Sequence, residues 1–564
     1  MQGNVYAQNN LGYCYYNGEG VEKDYAKAVG WYKKSAVQGN AYGQRCLGVC
    51  YYNGYGVEKD YAKAVKWYKK SATQGNVYAQ NVLGDCYYNG YGVEKDYAKA
   101  VEWYKKSAAQ GNAAAQNNLG NCYYDGYGVE KDYAKAVEWY EKSAAQGNAD
   151  AQNHLGNCYY DGYGVEKDYS KAVEWFKKSA AQGNSDAQKS LGNCYYNGHG
   201  VVQDYSKAVG WYKKSAAQGN AYGQRCLGDC YYNGYGVEKD YAKAVKWYKK
   251  SATQGNTYAQ NVLGDCYFNG YGVERDYVKA VKWYKKSAAQ GNAYAQNGLC
   301  NCYYNGYGVE KDYAKAVEWL EKSAAHDYAK AQNHLGFCYY NGYGVEKDYV
   351  KAVELYEKSA AQGNADAQNH LGNCYYDGYG VEKDYAKAVE LYEKSAAQGN
   401  AYAQNGLGVC YYNGYGVEKD YVKAVEWYEK SAAQGNAYAQ NNLGNCYYNG
   451  EGVEKDYVKA VEWYEKSAAQ GNAYAQNNLG NRYYNGEGVE KDYAKAVEWY
   501  EKSAEQGDAT AQYNLGNRYY NGEGVEKDYV KAVELYEKSA AQGNTTAQKR
   551  LGDCYFLWSW CGNR

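Results

Sequence analysis

The sequence predicts an all-α fold, an α-solenoid of tandem antiparallel helix pairs, from two observations. First, a leucine that begins at Leu11 returns every 36 residues as far as Leu551, fifteen intervals without an insertion or deletion. Second, apolar residues recur at helical spacing in two separate stretches of each period. Fixed periods of about 20 to 50 residues are typical of stacked supersecondary units. The 564 residues are therefore predicted to form one repeat array rather than several independent domains.

The first stretch of each repeat predicts an amphipathic helix, which we name helix A. In the repeat Asn436–Gly471, four apolar residues recur at i, i+4, i+7 and i+8. They are Ala439, Leu443, Cys446 and Tyr447. Such a stripe marks the buried side of a helix. Gly450 follows it, and we expect this glycine to end helix A in a left-handed turn.

The second stretch predicts helix B. Asp456 suits the N-cap position, because its carboxylate can accept a hydrogen bond from a free backbone N–H. The apolar stripe that follows consists of Tyr457, Ala460, Val461, Tyr464 and Ala468, and Gly471 comes after it. Gly444 recurs inside helix A, where glycine costs about 1 kcal/mol relative to alanine. Its recurrence indicates the close approach of a neighbouring helix.

Neither helix can bury its stripe alone, so the repeats are expected to stack. We predict a continuous array over residues 1–543, with fifteen complete repeats. Residues 544–564 form a truncated repeat whose last helix lacks the usual ending and contains Trp558 and Trp560. Because terminal repeats are normally atypical, we expect a hydrophobic end cap, with a docking site as the alternative.

The repeat pattern A-x-x-x-LG-x-x-Y-x-x-G-x-G-V-x-x-D-x-x-KA-x-x-WY-x-K-x-A-x-x-G resembles the Sel-one-like repeat (SLR), a relative of the tetratricopeptide repeats. The matching residues are Ala439, Leu443, Gly444, Tyr447, Gly450, Gly452, Val453, Asp456, Lys459, Ala460, Trp463, Tyr464, Lys466, Ala468 and Gly471. The resemblance covers essentially the whole chain. It implies a right-handed superhelix with helix A on the concave side, and a non-catalytic adaptor that holds protein complexes together.

Several repeats depart from the pattern. Serine occupies the position of Ser467 where the family has alanine, which we interpret as a mild change. Cys300 stands where the other repeats have the helix A glycine, so its repeat is expected to pack differently. Leucine replaces tryptophan at Leu355, Leu391 and Leu535.

Three neighbouring positions of helix A vary between repeats, those of Asn441, Asn442 and Asn445. Their spacing of i, i+1 and i+4 places them on one side, which the resemblance assigns to the concave surface. Variation indicates a face that packing does not constrain, and we predict that this face binds a protein or peptide. The candidate binding residues are Arg45, Asp85, Asn117, Asn121, Asn153, Asn157, Lys189, Asn193, Arg225, Asp229, Asn261, Asp265, Asn297 and Asn301.

Loop tyrosines form a second candidate surface. Tyrosine joins a large apolar ring to a hydrogen-bonding hydroxyl and is enriched at interfaces. The loop residues are flanked by glycines and have little local core to join, so an exposed aromatic ridge is expected. The secondary candidates are Tyr55, Tyr91, Tyr127 and Tyr163, together with Trp558 and Trp560.

One cysteine column runs along the packed side of helix A. Successive repeats should place these thiols about 10 Å apart, beyond the roughly 7 Å between Cα atoms that a disulfide spans, so we expect free thiols in the core. Arg482 and Arg518 replace two of them, and we expect their guanidinium groups to reach water. His154, His334 and His370 each precede a cysteine by four residues. Two ligands are too few for a structural zinc site, so no metal or other cofactor is predicted.

Composition excludes further classes. The net charge of −1 gives no attraction to nucleic acid. No apolar stretch reaches the about 18 residues of a membrane span, and the first ten residues lack a secretory signal, so we expect a soluble cytoplasmic chain without membrane insertion. Histidine is scarce and no acid–base constellation stands out, so we predict no enzyme.

Two alternatives to the adaptor remain. Basic residues exceed acidic ones in the first half of the chain, and the reverse holds in the second half. This asymmetry favours an architectural array with weak head-to-tail self-association. A regulatory subunit or an enzyme is the other alternative.

Overall fold

The computed structural model describes the backbone of residues 3–561 and the side chains of residues 3–555. Two compact units divide between Ser287 and Ala288. Over the described residues, the secondary structure consists of 31 helices without a strand. Odd-numbered helices are helix A of their repeats, and even-numbered helices are helix B. The predicted all-α fold is confirmed, and each unit is an α-solenoid.

In the first unit the helices are α1 Val5–Asn17, α2 Tyr25–Val37, α3 Ala41–Asn53, α4 Tyr61–Thr73, α5 Val77–Asn89, α6 Tyr97–Ala109, α7 Ala113–Asp125, α8 Tyr133–Ala145, α9 Ala149–Asp161, α10 Tyr169–Ala181, α11 Ser185–Asn197, α12 Tyr205–Ala217, α13 Ala221–Asn233, α14 Tyr241–Thr253, α15 Thr257–Asn269 and α16 Tyr277–Ala288, whose last residue lies at the division.

In the second unit they are α17 Ala293–Asn305, α18 Tyr313–Ala324, α19 Ala329–Asn341, α20 Tyr349–Ala361, α21 Ala365–Asp377, α22 Tyr385–Ala397, α23 Ala401–Asn413, α24 Tyr421–Ala433, α25 Ala437–Asn449, α26 Tyr457–Ala469, α27 Ala473–Asn485, α28 Tyr493–Glu505, α29 Ala509–Asn521, α30 Tyr529–Ala541 and α31 Thr545–Cys561. A continuous array over residues 1–543 stays a prediction.

The predicted helix ends are confirmed. Helix α25 begins after Asn436, whose side chain accepts a hydrogen bond from the backbone N–H of Ala439. It ends before Gly450, which has φ 79° in the left-handed region. Helix α26 begins after Asp456, whose carboxylate accepts from the N–H of Lys459 at 3.0 Å. These caps satisfy backbone groups that a helix leaves without partners.

Buried apolar clusters join helix B of one repeat to helix A of the next. In the cluster between α24 and α25, Val425 and Tyr428 from helix B pack with Leu443 and Cys446 from helix A. The predicted stripes are buried, apart from partly exposed residues such as Tyr447. The repeats therefore bury each other's apolar faces, as the periodicity predicted.

The recurring glycine of helix A makes room for an aromatic ring. A Cβ atom added to Gly444 would lie 2.6 Å from Cε1 of Tyr464 in helix B of the same repeat. Contacts that short do not occur between real Cβ atoms and rings, so only glycine fits. The predicted close approach is confirmed, and its partner is a side chain.

Hydrogen bonds also join the helices. The hydroxyl of Ser467 is fully buried and donates to the carbonyl of Ala437 at 2.7 Å. The amide of Gln470 donates to Oε1 of Gln440 at 2.8 Å, and that of Gln440 donates to the carbonyl of Ala432 at 3.2 Å. Serine in place of alanine is therefore more than a mild change, since its hydroxyl satisfies a carbonyl on another helix.

The two arginines of the cysteine column do not reach water. Arg482 is buried, and its guanidinium lies 3.6 Å from the ring centroid of Tyr448. Its Nη1 lies 2.8 Å from Oε2 of Glu487, an ion pair rather than an aligned hydrogen bond. Arg518 repeats the arrangement with Glu523 at 2.9 Å. The expectation of a solvated guanidinium was wrong, because each arginine has a carboxylate five residues later.

Candidate functional site

The candidate site is one face of the A helices, which we name the A face. It comprises the positions equivalent to Tyr438, Asn441, Asn442 and Asn445, spaced i, i+3, i+4 and i+7 in α25. That spacing aligns side chains along one side of a helix. All fourteen predicted binding residues occupy this face.

The position of Asn445 is a hydrogen-bond acceptor for helix B. In α7, Oδ1 of Asn121 accepts from the hydroxyl of Tyr140 at 2.8 Å, and in α5, Oδ1 of Asp85 accepts from Tyr104 at 2.7 Å. The same bond joins Asn193 to Tyr212, Asp229 to Tyr248 and Asp265 to Tyr284. These predicted binding residues therefore also hold their own repeats together.

The positions of Asn441 and Asn442 link successive repeats. Asn118 donates to Oδ1 of Asn81 at 3.3 Å in the preceding repeat, and also to Oδ1 of Asp85 at 3.1 Å. Ring nitrogens of histidine make the same link, at 3.0 Å from His154 to Asn117 and at 3.2 Å from His334 to Asn297. Of the predicted residues on this column, Asn117, Asn153 and Asn261 are buried. The inference that variation marks a face without packing constraints was wrong.

Burial makes the aspartates of the A face weaker acids. Desolvation raises the pKa of Asp265 to about 6, and it also raises the pKa of Asp85. The pKa of Asp229 is raised for the same reason, although the nearby Arg225 opposes the shift. Since desolvation penalises the charged form, these groups carry less negative charge at mildly acidic pH than free carboxylates.

Two arginines of the A face differ in their partners. Nη1 of Arg225 lies 3.1 Å from Oδ2 of Asp229. Arg45 occupies the equivalent place five repeats earlier, but Val49 stands where Asp229 does, and Arg45 forms no ion pair among the described side chains. Its guanidinium lies 5.6 Å from the ring of Tyr78, a cation–π arrangement. Arg45 is thus a cation available for an anionic group of a partner.

The A face carries an exposed row of tyrosines that the sequence analysis missed. It consists of Tyr6, Tyr42, Tyr78, Tyr222 and Tyr258 in the first unit and Tyr294, Tyr402, Tyr438 and Tyr474 in the second. These side chains are 46–65% exposed. The signal was present in the sequence, since this position lies outside the buried stripe of helix A yet carries tyrosine in most repeats. A large ring there has no core to join.

The loop tyrosines have partners that we did not expect. Tyr91 stacks on Tyr61 with ring centroids 5.1 Å apart, and its edge meets Tyr52 at 6.1 Å. Stacked pairs also join Tyr55 to Tyr25, Tyr127 to Tyr97 and Tyr163 to Tyr133. The expectation of little local packing was wrong, whereas the expected exposure is confirmed, since these four side chains are 36–41% exposed. A binding role for these rings stays a prediction. The side chains of Trp558 and Trp560 lie outside the described residues.

Two repeats lack the helix B tyrosine whose hydroxyl reaches the A face in other repeats. Phe176 and Leu320 stand in place of the helix B tyrosine, so neither can donate to Asn157 or Asn301. A cavity of about 180 Å³ lies beside Phe176 and is lined by three predicted residues, Asn157, Lys189 and Asn193. A second cavity of about 240 Å³ lies beside Leu320 and Asn301.

The cysteines are core residues. The 17 described cysteines are unpaired, and most are buried. Burial raises the pKa of the Cys446 thiol to about 12, which keeps it protonated and unreactive. Among the side chains the structure describes, no three histidine, cysteine or acidic residues are placed to hold a metal ion. No described helix is both long and apolar enough to cross a membrane.

Comparison with known proteins identifies the repeats. A search of curated proteins found no match. A protective antigen of uropathogenic Escherichia coli with an SLR fold is 35% identical, with a TM-score of 0.63 over 86% of this chain and 97% of that one. A Sel1 repeat protein from Oxalobacter formigenes is 36% identical, with a TM-score of 0.41 over 43% of this chain and 96% of that one. The family model of the Sel1 repeat matches fifteen consecutive segments, from residues 5–40 to residues 509–544. The chain therefore belongs to the Sel1 repeat family, the family that its repeat pattern resembles.

Proposed function

We propose that the chain is a non-catalytic scaffold that binds a protein or peptide along the A face. A scaffold of Sel1 repeats is consistent with a protein-interaction role. The observation that carries the proposal is the row of exposed tyrosines on the A helices, such as Tyr42 at 57% and Tyr78 at 61% exposed. Exposed aromatic rings aligned on a rigid scaffold offer large contact area at low entropic cost.

Polar groups beside the row supply specificity. Arg45 lies against Tyr78 without a carboxylate partner and is available for an acidic side chain of the ligand. Lys189, Asn157 and Asn193 line a cavity of the same unit. Aromatic area with a few placed polar groups is typical of protein-binding surfaces. Weak head-to-tail association and a cytoplasmic location stay predictions, as does the absence of nucleic-acid binding.

The test compares two triple variants of the whole chain. Tyr42, Tyr78 and Tyr222 are changed to serine in the first, which removes exposed aromatic area from the A face of one unit. Val37, Val202 and Val278 are changed to serine in the second, which removes exposed apolar area away from this face. Partners are captured from the source cell with the unaltered chain, and the affinity of the purified partner is then measured for all three proteins.

We expect the tyrosine variant to bind its partner at least about tenfold more weakly, since interface aromatics are frequent hot spots. The valine variant should bind like the unaltered chain. Equal affinity in all three proteins would exclude the tyrosine row of the first unit as the binding surface. Light scattering that depends on concentration and collapses in salt, without a captured partner, would favour the architectural array instead.

A further inference from the structure

The repeat 293–328 lacks the contact that defines the other repeats. Elsewhere a glycine of helix A faces an aromatic ring of helix B, as Gly444 faces Tyr464. Here Cys300 replaces the glycine and Leu320 replaces the tyrosine. The two changes fit together, because a Cβ atom at the glycine position would collide with a ring. Leucine leaves space that the cysteine fills in part.

The exchange leaves a polar group without its usual donor. In regular repeats the tyrosine hydroxyl donates to the residue at the position of Asn445, at 2.8 Å from Tyr464. Leu320 has no hydroxyl, and the corresponding Asn301 is exposed. Its Oδ1 accepts from Nδ2 of Asn305 at 2.7 Å, which uses one of the two lone pairs of an amide oxygen. The second lone pair is available to a ligand.

A cavity of about 240 Å³, which we name the Cys300 pocket, opens at this place. Its apolar floor consists of the buried side chains Leu320, Cys300 and Cys338. Asn301 and His334 supply polar groups to the lining. Phe337 adds an aromatic wall where most other repeats carry asparagine or aspartate.

The chemistry of the lining selects an uncharged ligand. No acidic residue, lysine or arginine lines the pocket. Burial raises the pKa of the Cys338 thiol to about 11, and desolvation lowers the pKa of His334, so both groups are neutral at pH 7. A charged group would lose part of its hydration here without gaining a partner of opposite charge.

The size of the pocket selects a single side chain. Pockets for small molecules usually enclose about 300–1,000 Å³, whereas an aromatic side chain fits a smaller volume. Phe337 lies 5.9 Å from Tyr343 and 6.1 Å from His370 between ring centroids. The pocket thus extends an existing aromatic cluster, against which another ring packs favourably.

We propose that the Cys300 pocket receives a tyrosine side chain of the bound protein or peptide, with its phenol hydroxyl donating to Oδ1 of Asn301. The incoming ring takes the part that helix B's own tyrosine plays in regular repeats. Phenylalanine is disfavoured because it would cover the second lone pair of the Asn301 amide oxygen without donating a hydrogen bond to it. The inference rests on the proposed function, since it names the group of the partner that one repeat recognises.

The experiment uses p-cresol, the side-chain analogue of tyrosine, with the whole chain. Binding is measured by ligand-detected NMR for the unaltered protein and for the double variant Cys300→Gly/Leu320→Tyr. This variant restores the glycine and tyrosine that fourteen and thirteen of the fifteen repeats carry, respectively, so it is expected to fold. Phe176→Tyr, which restores the tyrosine in another repeat, is the matched control.

We expect saturable binding of p-cresol that the double variant weakens at least about tenfold and the control leaves unchanged. Toluene, which lacks the hydroxyl, should bind more weakly than p-cresol. Equal binding of p-cresol to the double variant, with unchanged helicity, would overturn the pocket. Equal binding of toluene would overturn the role of Asn301.

Because p-cresol binding is measured without a partner, its outcome is independent of the partner-binding test of the A face. If p-cresol binds at the pocket but no protein partner is captured from the source cell, the proposed function is refuted and the pocket is not. A partner whose affinity falls in the tyrosine-row variant but not in Cys300→Gly/Leu320→Tyr would refute the pocket as part of the interface.

Discussion

Two repeats of the second unit solve one packing problem with different residues. In the repeat 437–472, Gly444 leaves room for the ring of Tyr464, whose hydroxyl bonds to Asn445. In the repeat 293–328, a thiol and a leucine occupy the same two positions and leave a cavity. This difference indicates that packing constrains the two side chains together rather than either residue alone. One changed pair converts a structural hydrogen bond into a candidate binding pocket.

The cysteine column follows the same rule. Arg482 and Arg518 each occur with a glutamate five residues later, where most repeats carry a tyrosine. Glutamate also occurs with cysteine, as at Glu451 after Cys446, but no arginine of this column lacks its glutamate. A buried guanidinium needs a partner charge, whereas a carboxylate near the surface does not.

The largest effect is expected when one residue of the Cys300–Leu320 pair is placed at the equivalent position of a regular repeat. Gly444→Cys places a side chain against the ring of Tyr464, and overpacking of this kind costs about 3 kcal/mol. Adding Tyr464→Leu should relieve the collision. The loss in the free energy of local opening should therefore be at least about 1 kcal/mol smaller in the double variant than the sum of the losses in the two single variants. Hydrogen exchange of the amides in α25 and α26 measures the free energy of local opening.

The control for this variant is Gly210→Cys. Gly210 lies in α12, and a Cβ atom added there meets nothing within 4 Å. The substitution should be neutral or mildly stabilising, because glycine is a poor helix former. If the losses in stability from Gly444→Cys and Tyr464→Leu simply add in the double variant, the two positions are not coupled, which would contradict this interpretation.

The second effect concerns the other coupled pair. Glu487→Gln removes the charge that faces the buried Arg482, and we expect a loss of about 2–3 kcal/mol in local stability. Arg482→Cys in the Glu487→Gln background should recover most of it, since cysteine is the usual residue of this column. Urea unfolding followed by hydrogen exchange in α27 checks both values. Equal stability of Glu487→Gln and the unaltered chain would show that the ion pair is solvated.

The third effect separates aspartate from asparagine on the A face. Burial raises the pKa of Asp265 from 3.8 to about 6, so the folded state holds this proton more tightly than the unfolded state. The contribution of Asp265 to the free energy of unfolding therefore falls as pH rises from about 4 to about 6, and stays low above that. At pH 7, Asp265→Asn should stabilise the repeat by about 2 kcal/mol.

The measurement is local opening in α15 as a function of pH. The variant keeps an Oδ1 acceptor for Tyr284, as asparagine does for Tyr464 in a regular repeat. It should lose the pH dependence between pH 4 and pH 6 that the unaltered chain shows. A stability profile that rises over this range in the unaltered chain would contradict the raised pKa.

Most of the fold could be predicted from the sequence because its signals are local. The period, the stripes, the N-cap at Asp456 and the turn at Gly450 depend on residues within a few positions of each other. The recurrence of Gly444 even indicated a close contact. Each signal was also easier to recognise because the same local pattern recurs in nearly every repeat.

The candidate site was harder to predict because its contacts join distant residues. Asn121 accepts from Tyr140, 19 residues away, and Asn117 contacts His154, 37 residues away. Variation in these columns suggested a free surface, whereas the side chains there bond to each other. Leu320 went unnoticed for the same reason, since its meaning depends on Cys300 in another helix.

The smallest effect tests the missing hydroxyl in isolation. Phe176→Tyr adds one oxygen atom beside Asn157, the acceptor that other repeats use, and the cavity of about 180 Å³ there has room for it. A new internal hydrogen bond contributes about 1 kcal/mol, so the repeat should gain that much in local stability. Hydrogen exchange in α9 and α10 measures the gain. A loss instead would mean that the hydroxyl finds no acceptor and that Asn157 already has another partner. A gain would show that the helix B tyrosine stabilises its repeat through its hydroxyl as well as its ring.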